Sequence, residues 1–118
     1  MRLLIVDDDP TGARALATLL NMDGFDVVEL HSPEKALERL RTEQFDAVIT
    51  DLEMPVMHGL DLLRALKSCA PMTPVFVVTG YTESPVSREA LTLGARRVFG
   101  KPIAYEDLCG ELKQLPLH

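Results

Sequence analysis

The feature that most constrains this chain is a fivefold alternation between short strand-forming runs and longer amphipathic stretches. The runs are Leu3–Val6, Asp26–Leu30, Ala47–Ile49, Val75–Val78 and Val98-Phe99. They are too short to be buried helices. Val75–Val78 consists only of β-branched and aromatic residues, which fit a pleated, crowded surface. Between the runs, apolar residues recur at helical spacing. Pro10 suits a first helical turn, followed by the stripe Leu16, Leu19 and Leu20, and Gly24 closes that helix. Ser32-Pro33-Glu34 opens a second helix with a hydroxyl cap before a proline, and Ala36, Leu37 and Leu40 supply its buried side. Met54–Gly59 reads as a loop, and Leu60, Leu63 and Leu66 mark a third helix. Pro71 and Pro74 bracket a turn. Ser84-Pro85 repeats the capping signal, Val86, Ala90 and Leu93 line the fourth helix, and Gly94 ends it. Leu108, Leu112 and Leu115 define the last helix.

Strand-helix alternation of this kind predicts a parallel sheet with helices on both faces. Nearly continuous apolar strands agree, because a strand covered on both sides has no solvent face to make polar. Right-handed crossovers leave few ways to wind such a sheet. The chain has 118 residues, the size of one domain over residues 1–118. These constraints predict a flavodoxin-like (βα)5 doubly wound sheet of strand order 2-1-3-4-5, with any site beyond the carboxyl ends of the strands.

Composition narrows the function. Eighteen acidic residues against 12 basic ones give a net charge of −6, with no cationic excess to neutralise nucleic-acid phosphates. Direct nucleic-acid binding is therefore not expected. Cys69 and Cys109 stand far apart without a partner motif, as reduced thiols do. No apolar run approaches the ~20 residues that span a bilayer. Asp7–Asp9 interrupts the N-terminal apolar run too early for a secretory signal. A cytoplasmic, membrane-independent protein is expected. No second domain is visible, which leaves a stand-alone protein and a domain of a larger protein both open.

The predicted carboxyl ends carry an unusual set of side chains. Run one ends in Asp7-Asp8-Asp9, run three in Asp51, run four in Thr79-Gly80 and run five in Gly100-Lys101-Pro102. Close carboxylates repel, and a hard divalent cation relieves that repulsion. Oxygen ligands with room for water suit Mg²⁺. A carboxylate can attack phosphorus to give an aspartyl phosphate. An ammonium and a hydroxyl can stabilise the transferring oxygens.

The motifs IVDDDP at Ile5–Pro10, TDLEMPVMHG at Thr50–Gly59, VVTGY at Val77–Tyr81 and GKP at Gly100–Pro102 stand in order, each at a strand end. In these the chain resembles the response regulator receiver domain family from the first strand to the last helix. The resemblance implies that Asp7 and Asp8 are the metal-binding acidic pair and that Asp51 is both phosphoacceptor and metal ligand. It implies that the backbone carbonyl of Glu53 completes the protein's share of a Mg²⁺ shell. Thr79 would be the switch hydroxyl and Lys101 the phosphoryl-contacting lysine, with a cis bond to Pro102. The donor would be a histidine kinase or phosphotransfer protein. The response would pass to an output domain or downstream protein through the fourth helix, fifth strand and fifth helix, roughly Ser84–Leu115. The chain would be a phosphoacceptor that assists its own phosphorylation and dephosphorylation rather than an enzyme.

Two departures stand out. The family's usual aromatic three residues before the lysine is Val98 here, with Phe99 beside it, and Ile103 follows Lys-Pro where Phe is common. Glu53 and Tyr81 lie two residues beyond the acceptor and the switch threonine, where they flank the phosphoryl group. The charge of Glu53 would either slow transfer or deflect attacking water.

Plainer readings compete. Asp9 before Pro10 is expected to cap the first helix. Asp7 and Asp8 could do the same, but two adjacent acids facing Asp51 favour a metal. Thr79 or Lys101 alone would be an ordinary strand-end residue or surface charge. His31, His58 and His118 lack ligand spacing and read as surface residues. Met54 and Met57 read as packing residues of a loop, and Glu34, Glu38 and Glu43 as a solvated helix face. A haloacid-dehalogenase-like phosphatase would place its nucleophile after the first strand with an Asp two residues on. Here the acceptor follows the third strand and the second residue beyond it is Glu53. A receiver that has lost phosphorylation would lack the pair, the acceptor or the lysine, and all are present.

Overall fold

The strand-forming runs pair side by side in the computed structural model, which describes residues 1–53, 59–80 and 82–116. The strands are β1 (Arg2–Val6), β2 (Asp26–Leu30), β3 (Ala47–Asp51), β4 (Val75–Thr79) and β5 (Arg97–Gly100). All four neighbouring pairs are parallel, in the order β2-β1-β3-β4-β5. The helices are α1 (Pro10–Met22), α2 (Pro33–Thr42), α3 (Gly59–Cys69), α4 (Pro85–Thr92) and α5 (Tyr105–Lys113). The doubly wound sheet and its strand order are as the sequence predicts.

Successive strand residues point to opposite faces, so each apolar strand feeds two cores. Leu4, Val6, Val48, Val75 and Val77 pack with Ala36, Leu40, Leu62, Leu63, Leu66 and Ala90, on the side of α2, α3 and α4. Leu3, Ile5, Ala47, Ile49, Phe76 and Phe99 pack with Ala13, Ala17, Leu20, Leu108 and Leu112, on the side of α1 and α5. The central strands β3 and β4 are almost wholly buried, whereas the edge strands β2 and β5 are largely intermediate. No described helix is long and apolar enough to cross a membrane.

Three helices start as their sequences predict. Asp9, Ser32 and Ser84 accept the backbone N–H groups of Thr11, Lys35 and Ser87, each cap followed by proline. Such a cap contributes about 1 kcal/mol. Gly24 and Gly94 follow the ends of α1 and α4 with φ of 92° and 108°. That left-handed region is open to glycine at little cost and reverses the chain out of the helix.

Some expectations are corrected. Val86 does not line the buried side of α4: it is 37% exposed and Ser87 is buried in its place, while Ala90 is buried as the sequence predicts. Ser87 can take the inward position because the Ser84 hydroxyl donates to its Oγ at 3.2 Å, so its polarity is satisfied. Glu43 does not belong to a solvated helix face. It follows α2, accepts from Arg2 at 2.6 Å and also pairs with Arg39. These arginines hold its carboxyl down at about 2, the side-chain bond from Arg39 foremost. Glu34 and Glu38 are exposed as expected. Gly59 is the first residue of α3 rather than the last of a loop. The readings of the remaining loop residues, including Met54, Met57 and His58, and those of Tyr81 and His118, lie outside the described residues.

Candidate functional site

All of the sequence-predicted site residues lie along the carboxyl edge of the sheet. Asp7 follows β1, and its N–H donates to the carbonyl of Leu30 at 3.1 Å, so β1 and β2 fix its backbone. Asp51 ends β3 and is only 4% exposed. Thr79 ends β4 and is buried, and Lys101 follows β5. The register sets Thr79 beside Gly100, and the N–H of Lys101 donates to the carbonyl of Thr79 at 3.0 Å. The Lys101–Pro102 peptide is cis, as the resemblance implies.

Asp7, Asp8 and Asp51 each present a carboxylate oxygen, and these oxygens lie within 4.8 Å of one another. Asp8 is exposed, Asp7 half-buried and Asp51 buried, so the cluster opens to solvent on one side. Burial holds the Asp7 carboxyl above its usual range; the charges of Asp51 and Asp8 add to this, while the N–H of Asp9 and the charge of Lys101 oppose it. Three mutually repelling oxygen ligands at this spacing, one side open to water, fit a hard divalent cation. Asp9 sits apart from this role. Its N–H donates to Asp7 Oδ1 at 2.9 Å while its own carboxylate accepts from Thr11, so it caps α1 and orients Asp7.

On the other side of Asp51 lies the cation. Lys101 Nζ donates to Asp51 Oδ2 at 2.5 Å, and the N–H of Glu53 donates to Asp51 Oδ1 at 2.9 Å. Both carboxylate oxygens of Asp51 are therefore fixed. Burial works to lower the Lys101 pKa, but the bonds and charges of Asp51 and Glu53 outweigh it and hold it above its ordinary value. Between α1 and the β5–α5 connection, a cavity of about 240 Å³ reaches Asp7 and Asp51; its apolar walls include Ile5, Leu16, Ile49 and Ile103.

The sequence places the Glu53 backbone carbonyl in the metal shell and its charge beside the phosphoryl group, but not the hydrogen bonds that its carboxylate accepts. Glu53 Oε1 accepts from the Thr79 hydroxyl at 2.5 Å and from the Gly80 N–H at 3.0 Å. Its Oε2 accepts from Lys101 at 3.3 Å. Burial pushes the Glu53 carboxyl up, but the bonds from Thr79, Gly80 and Lys101 prevail and hold it below its ordinary value. The signal available in sequence was length. A glutamate two residues past a strand end can reach the end of the next strand. His31 is exposed, with Nδ1 3.0 Å from the Asp7 carbonyl.

A doubly wound parallel sheet whose carboxyl edge joins an acidic trio to a lysine and a threonine defines an α/β domain with a candidate cation and oxyanion site on its rim. The response regulator receiver domain model matches residues 3–113, and the chain belongs to that family. It is 34% identical over 116 residues, 98% of its length, to the transcriptional regulatory protein ZraR of Escherichia coli K12. It spans only 26% of that relative, and 50% of the response regulator MprA of Mycobacterium avium, to which it is 31% identical. Among solved structures, a receiver domain protein from Clostridium thermocellum superposes with a TM-score of 0.89 at 29% identity, covering 97% of this chain and 92% of that one. A response regulator from Burkholderia pseudomallei, solved with a phosphorylated aspartic acid, a calcium ion and citrate, gives a TM-score of 0.87 at 28% identity, over 96% of this chain and 66% of that one. Receiver domains of this family are phosphoacceptor signalling modules, and this chain is one of them.

Proposed function

We propose that Asp51 accepts a phosphoryl group from the phosphohistidine of a histidine kinase or phosphotransfer protein, and that Mg²⁺ is the assisting cation. The observation that carries this is the buried Asp51 carboxylate set between the Asp7–Asp8 pair and Lys101. Asp7, Asp8, Asp51 and the backbone carbonyl of Glu53 would hold the ion. Bound there, Mg²⁺ would neutralise charge on the acceptor and on the phosphoryl oxygens. A carboxylate oxygen of Asp51 forms the new P–O bond as the P–N bond to the donor histidine breaks, and the nitrogen keeps the bonding pair. Lys101 offsets the charge on the transferring oxygens, and the Thr79 hydroxyl donates to one of them. Hydrolysis of the acyl phosphate by water restores Asp51.

On this reading the domain is a consumed and regenerated acceptor rather than a turnover enzyme, acting in the cytoplasm. The face from α4 through β5 to α5 carries the signal to an output domain or downstream protein. Incubation with Mg²⁺ and a small phosphodonor such as acetyl phosphate should add one phosphoryl group by intact mass, and Asp51→Asn should abolish it. Persistent labelling of the Asn variant on the same peptide would overturn the assignment.

A further inference from the structure

The carboxylate of Glu53 has no part in the phosphotransfer chemistry above, which uses only its backbone carbonyl. Yet it is among the most heavily bonded acceptors on the rim. Donors from three places converge on it: the Thr79 hydroxyl at the end of β4, the Gly80 N–H just beyond, and Lys101 after β5. These donors form a cradle for an oxyanion, and Lys101 is also bonded to Asp51. The cradle therefore lies where a phosphoryl group on Asp51 would place its oxygens. Thr79 and Gly80 each offer a single hydrogen, so neither can serve two anions fully at once.

We propose that the Glu53 carboxylate is an intramolecular stand-in for the phosphoryl group, filling the Thr79–Gly80–Lys101 cradle until an incoming phosphoryl group displaces it. The proposal rests on Asp51 being the phosphoacceptor. The bond from the Glu53 N–H to Asp51 anchors the base of this side chain directly over the acceptor. Its side chain is 38% exposed, so it can leave by rotating into solvent without disturbing either core. An anion then binds only the fraction of molecules whose cradle is open, and its apparent affinity falls by that fraction.

Simple repulsion by a nearby charge would also weaken anion binding, and the length of the side chain separates the two. Glu53→Asp keeps the charge but is one methylene too short to reach Thr79 and Gly80. Glu53→Ala removes both charge and contact. The probe is beryllofluoride, a phosphoryl mimic, titrated with Mg²⁺ into the full chain and followed by amide NMR. Both variants should bind it about tenfold more tightly than the unaltered protein, as expected if about nine molecules in ten have the cradle filled. In the absence of beryllofluoride, the Gly80 amide should shift in both variants. With beryllofluoride bound, the Gly80 signals of all three forms should converge. Tight binding by the Ala variant with unchanged binding by the Asp variant would mean repulsion alone and would overturn the proposal. So would equal affinities throughout, or a Gly80 amide that ignores both substitutions. Absence of binding by every form, the unaltered protein included, would instead overturn the phosphoacceptor reading and this proposal with it.

Discussion

Neutralising Asp8 without changing its shape should stabilise the metal-free protein and remove most of the stabilisation that Mg²⁺ gives. Asp7, Asp8 and Asp51 bring oxygens within 4.8 Å of one another. Two unit charges at that separation repel by roughly 1 kcal/mol at the dielectric of water and by roughly 3–4 kcal/mol at an effective value near 20. Asp8 is exposed, which places its two pairs near the lower figure. The Lys101 ammonium, 2.5 Å from Asp51, cancels part of the remainder. A net relief of about 1 kcal/mol is expected for Asp8→Asn, or roughly 3–5 °C in melting temperature for a domain of this size. Mg²⁺ at a hundredfold excess over its dissociation constant stabilises the folded state by about 2.7 kcal/mol. The order of stability should therefore invert. The variant should melt higher than the unaltered protein in EDTA at low salt and lower in excess Mg²⁺. The gap in EDTA should narrow at high salt, because exposed charges are screened. Thermal melts of both proteins under these three conditions test this. A variant that melts no higher in EDTA, or that responds to Mg²⁺ as fully as the parent, would refute a repulsive acidic cluster closed by a cation.

Other expectations follow from single contacts. The Glu43 carboxyl lies at about 2 against an ordinary 4.5. A depressed carboxyl stabilises the fold above its unfolded value and loses that contribution as pH falls through the folded one. Glu43→Gln should thus lower the denaturant midpoint at neutral pH, with the deficit closing between 4.5 and about 2; a deficit that ignores pH would point to packing instead. Phe76 is fully buried against Phe99, their ring centroids 6.1 Å apart, and Phe76→Ala should cost about 3–5 kcal/mol in urea unfolding. Tyr105 links α5 to the end of α1, its one hydroxyl hydrogen shared between the Leu19 carbonyl and the Asp23 carboxylate at 2.9 and 2.7 Å. Tyr105→Phe should lower stability by about 1 kcal/mol while leaving phosphorylation of Asp51 intact. Beryllofluoride should shift the amides of Thr79, Gly80 and Ser84 strongly and those of Val98 and Phe99 little; a two-state rotamer flip of the Val98 methyls would contradict this.

Most of the fold was legible because its causes are local. Short apolar runs, prolines behind hydroxyl or carboxylate caps, and glycines past helix ends each act within a few residues. Their alternation then leaves one plausible winding. What escaped depends on contacts between distant segments. Leu62 is fully buried, although the predicted stripe of α3 ran through Leu60, Leu63 and Leu66. The helix is covered by both the sheet and its neighbours, which widens its buried face. Val86 and Ser87 exchange roles because a capping hydroxyl satisfies a second hydroxyl turned inward. Glu43 is drawn out of solvent by Arg2, which is remote in sequence and is adjacent only once β1 stands beside α2. At the rim, motif order brought Asp7, Asp8, Asp51, Thr79 and Lys101 together by residue type. The engagement of Glu53 with Thr79 and Gly80 carries no motif of its own, since it depends on where the end of β4 lies relative to β3.

That same placement links the rim to the face proposed to signal. Thr79 is tied to β5 twice, by its register with Gly100 and by the bond from the Lys101 N–H to its carbonyl. A methyl carbon built at Gly100 would lie 3.1 Å from Thr82 Cγ2, so Thr82 packs closely on the end of β5. If a phosphoryl group on Asp51 draws Thr79 toward it, these ties predict that the shift is felt at Thr82 and at the Ser84 cap of α4. Val98, facing the core of α2, α3 and α4 with a small branched side chain, has no ring to swing between buried and exposed positions. Phe99 points to the opposite core, where it packs on Phe76 beneath the stacked Arg97 guanidinium. Movement on this face is therefore predicted to appear in the backbone at Thr82–Ser84 rather than as a rotamer change at Val98. Under the stand-in role proposed for Glu53, the length of a single side chain at position 53 would decide whether Thr79 begins that movement already bound to an anion.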